Sequence, residues 1–228
     1  MKIKKLYLKT PYLEEQYLFY KDTLGFQELY KEAETIAFQI GQSELVLEQS
    51  QASKPYHFAL NIPFELVEQA VSWLKKRVTI LKEGTSDIQD FSAWKAKAIY
   101  FYDKDQNIVE LIGREDVKGN PHDTFNAAAV ISISEIGVPS KNIEKVYQSL
   151  VNINSSELPI YDGSFQRFCA VGDPEGLFIC INNEKKGTWF PTEDAAYASS
   201  FKVEILENHN LINLKYCDIE EQFKINNS

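Results

Sequence analysis

One order of elements, a strand, a helix and then three short strands, recurs along this chain, and a unit of that shape cannot bury its open sheet without a partner unit. Residues 2 to 9 alternate Ile3, Lys5 and Tyr7 against Lys4, Leu6 and Leu8, the period of a half-buried strand. Pro11 ends it. The run "YLEEQYLFYKDTL" then reads as a helix closed by Gly25, and strands are predicted at Phe26–Tyr30, Thr35–Ile40 and Glu44–Glu48, with Gly41 in the last turn. The order restarts at "YHFALNI". Pro63 opens a helix with Val67, Ala70, Val71 and Leu74 on one face, and "TILK", "AKAIYFYD" and "NIVELIG" supply three further strands. Residues 1–50 and 54–114 are thus two copies of a βαβββ module, expected to pair edge to edge into one domain, 1–114, with a curved sheet around a cleft and the helices outside.

Residues 115–127 are polar, carry Gly119 and Pro121, and read as a linker. A third copy follows in 128–228: strand "AVISISEIGV", helix "SKNIEKVYQSLV" with Ser140 as candidate cap, and a hairpin turning at Asp173–Gly176. "SSFKVEI" and "LINLKYCDI" add two strands without a second helix, so the second domain is read as partly truncated. The fold class is α+β, tandem βαβββ modules forming curved half-barrel sheets.

A hydrophobic fraction of 44% in 228 residues suffices for a packed core. The net charge of -9 argues against a nucleic-acid partner, which needs clustered Lys and Arg. The opening "MKIKKLYLKT" lacks the apolar stretch of a leader and no later run has the length of a membrane span, so a soluble, cytoplasmic protein with no membrane partner is expected. Cys169, Cys180 and Cys217 lack the paired spacing of a zinc site and read as reduced, mostly buried thiols. His122 and His209 fall in polar loops.

Three phrases, "FYKDTLGF", "YHFALNI" and "FYDKDQNIVEL", stand in the order found in the vicinal oxygen chelate superfamily, and on them the chain resembles that group of glyoxalases, extradiol dioxygenases, fosfomycin-resistance and bleomycin-resistance proteins. The resemblance covers 1–114 well and 128 to about 205 weakly. It implies ligands for a divalent metal (Fe, Mn, Zn or Ni) on a first, a fifth and an eighth strand. Carried onto this chain, those positions fall on Lys5, His57 and Glu110. A protonated lysine has no lone pair to give. Either the Lys5 ammonium replaces the cation and pairs with Glu110, leaving a metal-free pocket, or His57 and Glu110, helped by Glu48, still hold an ion. A buried His57–Glu110 pair that only braces the sheet is the third reading.

Strand parity adds Tyr7, Ala59, Asn61, Tyr100 and Tyr102 to the pocket, and the loop "IQDFSAWKAK" adds Phe91 and Trp94 at its rim. Tyr100 and Glu110 are the expected catalytic side chains, Glu110 as ligand or base. In the second domain the count from Asp173 puts Cys180 where Glu110 stands in the first, with Lys202 near the histidine position. No ligand set is expected there, and that domain is read as covering the cleft or mediating a homodimer. The functional expectation is one small-molecule pocket in the first domain, serving metal-assisted lyase, isomerase or dioxygenase chemistry, or else metal-free sequestration of a small molecule as in bleomycin-resistance proteins.

Overall fold

The computed structural model describes residues 1–119, 121–154 and 158–226. The first module runs β1 (Lys2–Thr10), α1 (Leu13–Leu18), β2 (Gln27–Lys31), β3 (Thr35–Ile40) and β4 (Ser43–Gln49). Helix α1 continues through Phe19–Thr23 as a widened π turn, which buries Phe19 and Tyr20. The second module runs β5 (His57–Ile62), α2 (Val67–Leu74), β6 (Ile80–Leu81), β7 (Gln89–Phe91), β8 (Ala96–Tyr102) and β9 (Ile108–Arg114). The third comprises β10 (Ser132–Ser140), α3 (Ile143–Asn154), β11 (Ile160–Ser164), β12 (Phe168–Asp173) and β13 (Gly176–Asn182). The fourth has strands only: β14 (Phe201–Glu207), β15 (Asn210–Cys217) and β16 (Gln222–Ile225).

The α+β architecture of repeated modules agrees with the sequence, and three strands lie beyond those expected: β7, β11 and β16. Segment 160–164 carries Asp162, Gly163 and Ser164, poor strand formers, so its pairing to β12 is imposed by the neighbour and not by propensity. The cap of α3 is Asn142, whose Oδ1 accepts from Lys145 N at 3.0 Å, while Ser140 is the buried last residue of β10. Part of the polar stretch after Arg114 is packed: Phe125 is buried edge-on against Trp73 of α2 at 5.4 Å, and its amide donates to Gln69 Oε1. Asn120, inside that stretch, lies outside the described residues.

The pairing of modules differs from the expected one. Among the described residues β1 does not pair with β5; β5 pairs antiparallel with β10 of the third module, and β1 pairs antiparallel with β14 of the fourth. The two half-barrels are therefore the second module with the third and the first with the fourth, joined where β1 meets β10 at Ile3 and Ile133. Alternation alone cannot distinguish these partnerships, because every module opens with a strand of the same pattern. One apolar cluster runs under both half-barrels, including Leu6, Phe38, Phe58, Phe101, Ile136, Phe178 and Tyr216. Among the described residues no helix is long and apolar enough to cross a membrane.

The turn phrase "DKDQN" braces the modules. Asp103 accepts from the Asp105 and Asn107 amides, from Asn107 Nδ2 and, at 2.8 Å, from the Tyr20 hydroxyl of the first module. Asn107 Oδ1 in turn accepts from Tyr56 N at 2.7 Å, next to His57. Burial pushes the Asp103 carboxyl up to about 6.

Candidate functional site

Register places four side chains in one row. Tyr100 of β8 stands opposite Glu110 of β9, Glu110 opposite Ala59 of β5, and Ala59 opposite Glu135 of β10. Neighbouring strands lie about 4.8 Å apart and opposed residues share a face, so the two glutamates flank a methyl group with nothing bulky between them. His57, two residues before Ala59, shares that face. Ligand atoms of His57, Glu110 and Glu135 all come within 4.8 Å of one another, and all three residues are buried.

The imidazole is oriented. His57 Nδ1 lies 3.2 Å from the Ile108 carbonyl oxygen, which can only accept, so that nitrogen donates there and Nε2 faces Glu110 Oε2 at 3.4 Å. Glu135 is held by Arg114, whose Nη2 donates to its Oε1; Nη1 of the same guanidinium donates to Asn61 Oδ1 at 3.0 Å and Ser134 Oγ at 2.6 Å. Arg114 is 1% exposed, and its packed position makes this a desolvated pair. Burial and then the neighbouring Glu110 charge push the Glu135 carboxyl up to about 7, against the pull of Arg114. Burial, with Glu110 and Glu135 beside it, also raises the Tyr100 phenol well above its ordinary value, so it stays a donor.

With both acids ionised, two carboxylates share this water-poor row with one guanidinium and one imidazole, pairing as Glu135 with Arg114 and Glu110 with His57. The donor set of one oriented imidazole nitrogen and two carboxylates suits a divalent ion of the Mn, Fe, Ni or Zn kind. The residues present fit such a group.

These acids line a hollow of about 620 Å³ with mostly aromatic and aliphatic walls. Tyr100, Phe91 and Trp94 come from the second module, Phe168 and Ile179 from the third, and Trp189 and Phe190 from the connection before β14. The Trp189 ring centroid sits 4.8 Å from that of His57. At the rim Trp94 Nε1 donates to Asp162 Oδ2 at 2.7 Å, and Lys186, whose ammonium burial makes less basic, lies 5.4 Å from the Phe168 ring centre.

Of the side chains expected from sequence, His57, Glu110, Tyr100, Phe91 and Trp94 come together here. Asn61 stands behind, on Arg114, and the Tyr102 hydroxyl donates to Asp194 of the connection before β14. Lys5 and Tyr7 are elsewhere, in the other half-barrel: Lys5 Nζ pairs with Glu44 at 2.8 Å and the Tyr7 hydroxyl donates to Glu204 at 2.8 Å. Lys5 therefore neither replaces a cation beside Glu110 nor pairs with it, and Glu48, expected as a helper, pairs with Lys202 at 2.6 Å. The third donor is Glu135, the fourth residue of β10 as Lys5 is the fourth of β1. Counting toward the wrong first strand missed it, although a lone glutamate inside the apolar run "ISISEIGV" was a signal.

Cys180 does not take the place of Glu110 in the third module. The Asp173–Gly176 turn is one residue tighter than Asp103–Asn107, which shifts the parity of the strand after it, so that Ile179 lines the hollow and Cys180 points into the core. Cys169 stands directly opposite Cys180 on β12; both are free, buried and raised in pKa by that burial.

No family model matches the chain, and no curated protein does. Solved structures do. A candidate dioxygenase from Bacillus subtilis aligns at TM-score 0.58 and 14% identity over 80% of this chain and 64% of its own. A Glu144→Gln mutant of glyoxalase I from Zea mays aligns at TM-score 0.55 and 11% identity over 78% of this chain and 66% of its own. This chain thus spans slightly less than two-thirds of each. A glyoxalase/bleomycin-resistance/dioxygenase protein from Nocardioides, 21% identical with TM-score 0.41, is covered over 89% of its length by 54% of this chain. In its repeated modules and curved, open sheet the chain has the fold of the vicinal oxygen chelate proteins.

Proposed function

We propose that the hollow between the second and third modules is the working site of a divalent-metal-dependent enzyme acting on a small, largely apolar molecule with adjacent oxygen atoms. The observation that carries this reading is the buried trio His57, Glu110 and Glu135, whose donor atoms converge within 4.8 Å. His57 Nε2 and the two carboxylates would hold the ion, which when bound acts as a Lewis acid on substrate oxygens. Arg114 positions Glu135, and the Ile108 carbonyl fixes the tautomer of His57. Tyr100, kept protonated by its burial, is suited to donate to the substrate from the adjacent strand. The walls of Phe91, Trp94, Phe168 and Phe190 exclude water from the reacting group.

Elemental analysis of protein purified without an affinity tag tests this, with His57→Ala and Glu110→Gln as controls. About one equivalent of a divalent transition metal in the parent protein, lost in both variants, is expected. A parent protein that takes up none after dialysis against Mn²⁺, Zn²⁺ and Ni²⁺ would favour the metal-free binding reading.

A further inference from the structure

Residues 183–200 join β13 to β14 and belong to none of the repeated modules, yet they supply a wall of the hollow. Trp189 is their most buried large side chain, 5% exposed. Its six-membered ring lies over Gly137 of β10: a Cβ there would come within 2.7 Å of Trp189 Cζ2 and Cη2, so only glycine admits the indole onto the sheet. The same indole borders two spaces. One is the 620 Å³ hollow; the other, of about 240 Å³, lies toward Tyr56, Gln106, Ala195 and Tyr197. Trp189 is the partition between them. Its backbone is tied down by Trp189 N donating to Asp194 O at 2.9 Å, and the neighbouring Phe190 ring packs against Tyr100 and Phe91 at 5.7 and 5.8 Å. Yet the indole Nε1 is buried with no hydrogen-bond partner among the described residues.

We infer that Trp189 is the specificity-determining residue of this site, an end wall that limits ligand length. The inference rests on the small-molecule reading above but not on the metal. A ligand approaching along the aromatic walls meets the indole beside His57 and stops, and a longer alkyl substituent collides.

The test is a binding series of 4-alkylcatechols, methyl to octyl, followed by titration calorimetry on the parent protein, Trp189→Ala and Trp189→Phe. The parent is expected to bind the short members and to lose affinity steeply with chain length. Trp189→Ala, which joins the two spaces, should shift the preference at least about tenfold toward the long members. Trp189→Phe keeps an aromatic wall, so it should retain the length limit. Unchanged length dependence in the alanine variant, or a length limit lost in the phenylalanine variant, overturns the assignment, as does a parent protein that binds no member. Metal content of the same preparations separates the two readings. Metal retained with indifferent Trp189 variants sinks only this inference; altered length selectivity in metal-free protein sinks only the metal.

Discussion

The two half-barrels are built on one plan and differ in what they do with charge. In one, Glu135 of β10 stands near His57 and Glu110; in the other, the equivalent positions hold Lys5 of β1 and Lys202 of β14, and their partners are Glu44 and Glu48. Opposite β14, Tyr7 fills the level that Gly137 leaves open for Trp189 opposite β5. The cleft of the first and fourth modules thereby neutralises itself with side-chain ion pairs and a Tyr7–Glu204 hydrogen bond. The cleft of the second and third modules keeps two buried acids, with His57 and Arg114, on the wall of an open hollow. A scaffold duplicated twice can give one closed, self-paired surface and one site, and the choice lies in a handful of side chains on the concave face.

Breaking the charged core of the site should cost most. Glu135→Ala leaves the Arg114 guanidinium buried without its carboxylate, and a loss of about 3–5 kcal/mol is expected in urea unfolding. Next comes Gly137→Ala, where the added methyl must displace the Trp189 indole; a loss of about 1–3 kcal/mol and a shifted tryptophan emission are expected. A variant as stable as the parent with unchanged emission would mean that Trp189 does not rest on that glycine.

Two buried carboxyls, Glu135 at the hollow and Asp103 in the turn brace, predict a pH dependence of stability. Glu135 and Asp103 have native pKa values of about 7 and about 6, above the ordinary carboxylate range, so the folded chain holds protons that the unfolded chain releases. Their contribution to stability is full below about pH 4 and is lost as pH rises through 6 and 7. Metal-free protein should accordingly melt at a lower temperature at pH 8 than Glu135→Gln would lead one to expect from its own shallower profile between pH 5 and 8. Added Mn²⁺ or Zn²⁺ should restore more at pH 8 than at pH 6, and equal shifts at both would count against a site at the trio. The smallest effect belongs to the self-paired cleft. Lys5→Ala removes a partly exposed ion pair and should cost less than about 1 kcal/mol, and Lys5→His should leave metal uptake unchanged.

The modules, their order and two of the three acids' and bases' positions were legible because strand period, glycine and proline punctuation and the turn phrase are local signals. His57 and Glu110 followed from them. Partnership between modules was not legible: β5 pairs with β10 through backbone groups and apolar faces that β1 offers equally well, so the search for a third donor went to Lys5. Cys180 was misplaced for a related reason, since one residue fewer in a turn reverses every later side chain. Trp189 lies in an irregular connection, where no periodicity announces which way a ring will point.

The brace at Asp103 has a wider consequence. No side chain of residues 1–50 lines the hollow, yet the Tyr20 phenol clamps the loop whose Asn107 tethers the peptide just ahead of His57. The opening module thus acts as a jig for a tool mounted on its neighbour: cut it away, and every lining residue would remain in the chain while the imidazole lost the anchor that aims it.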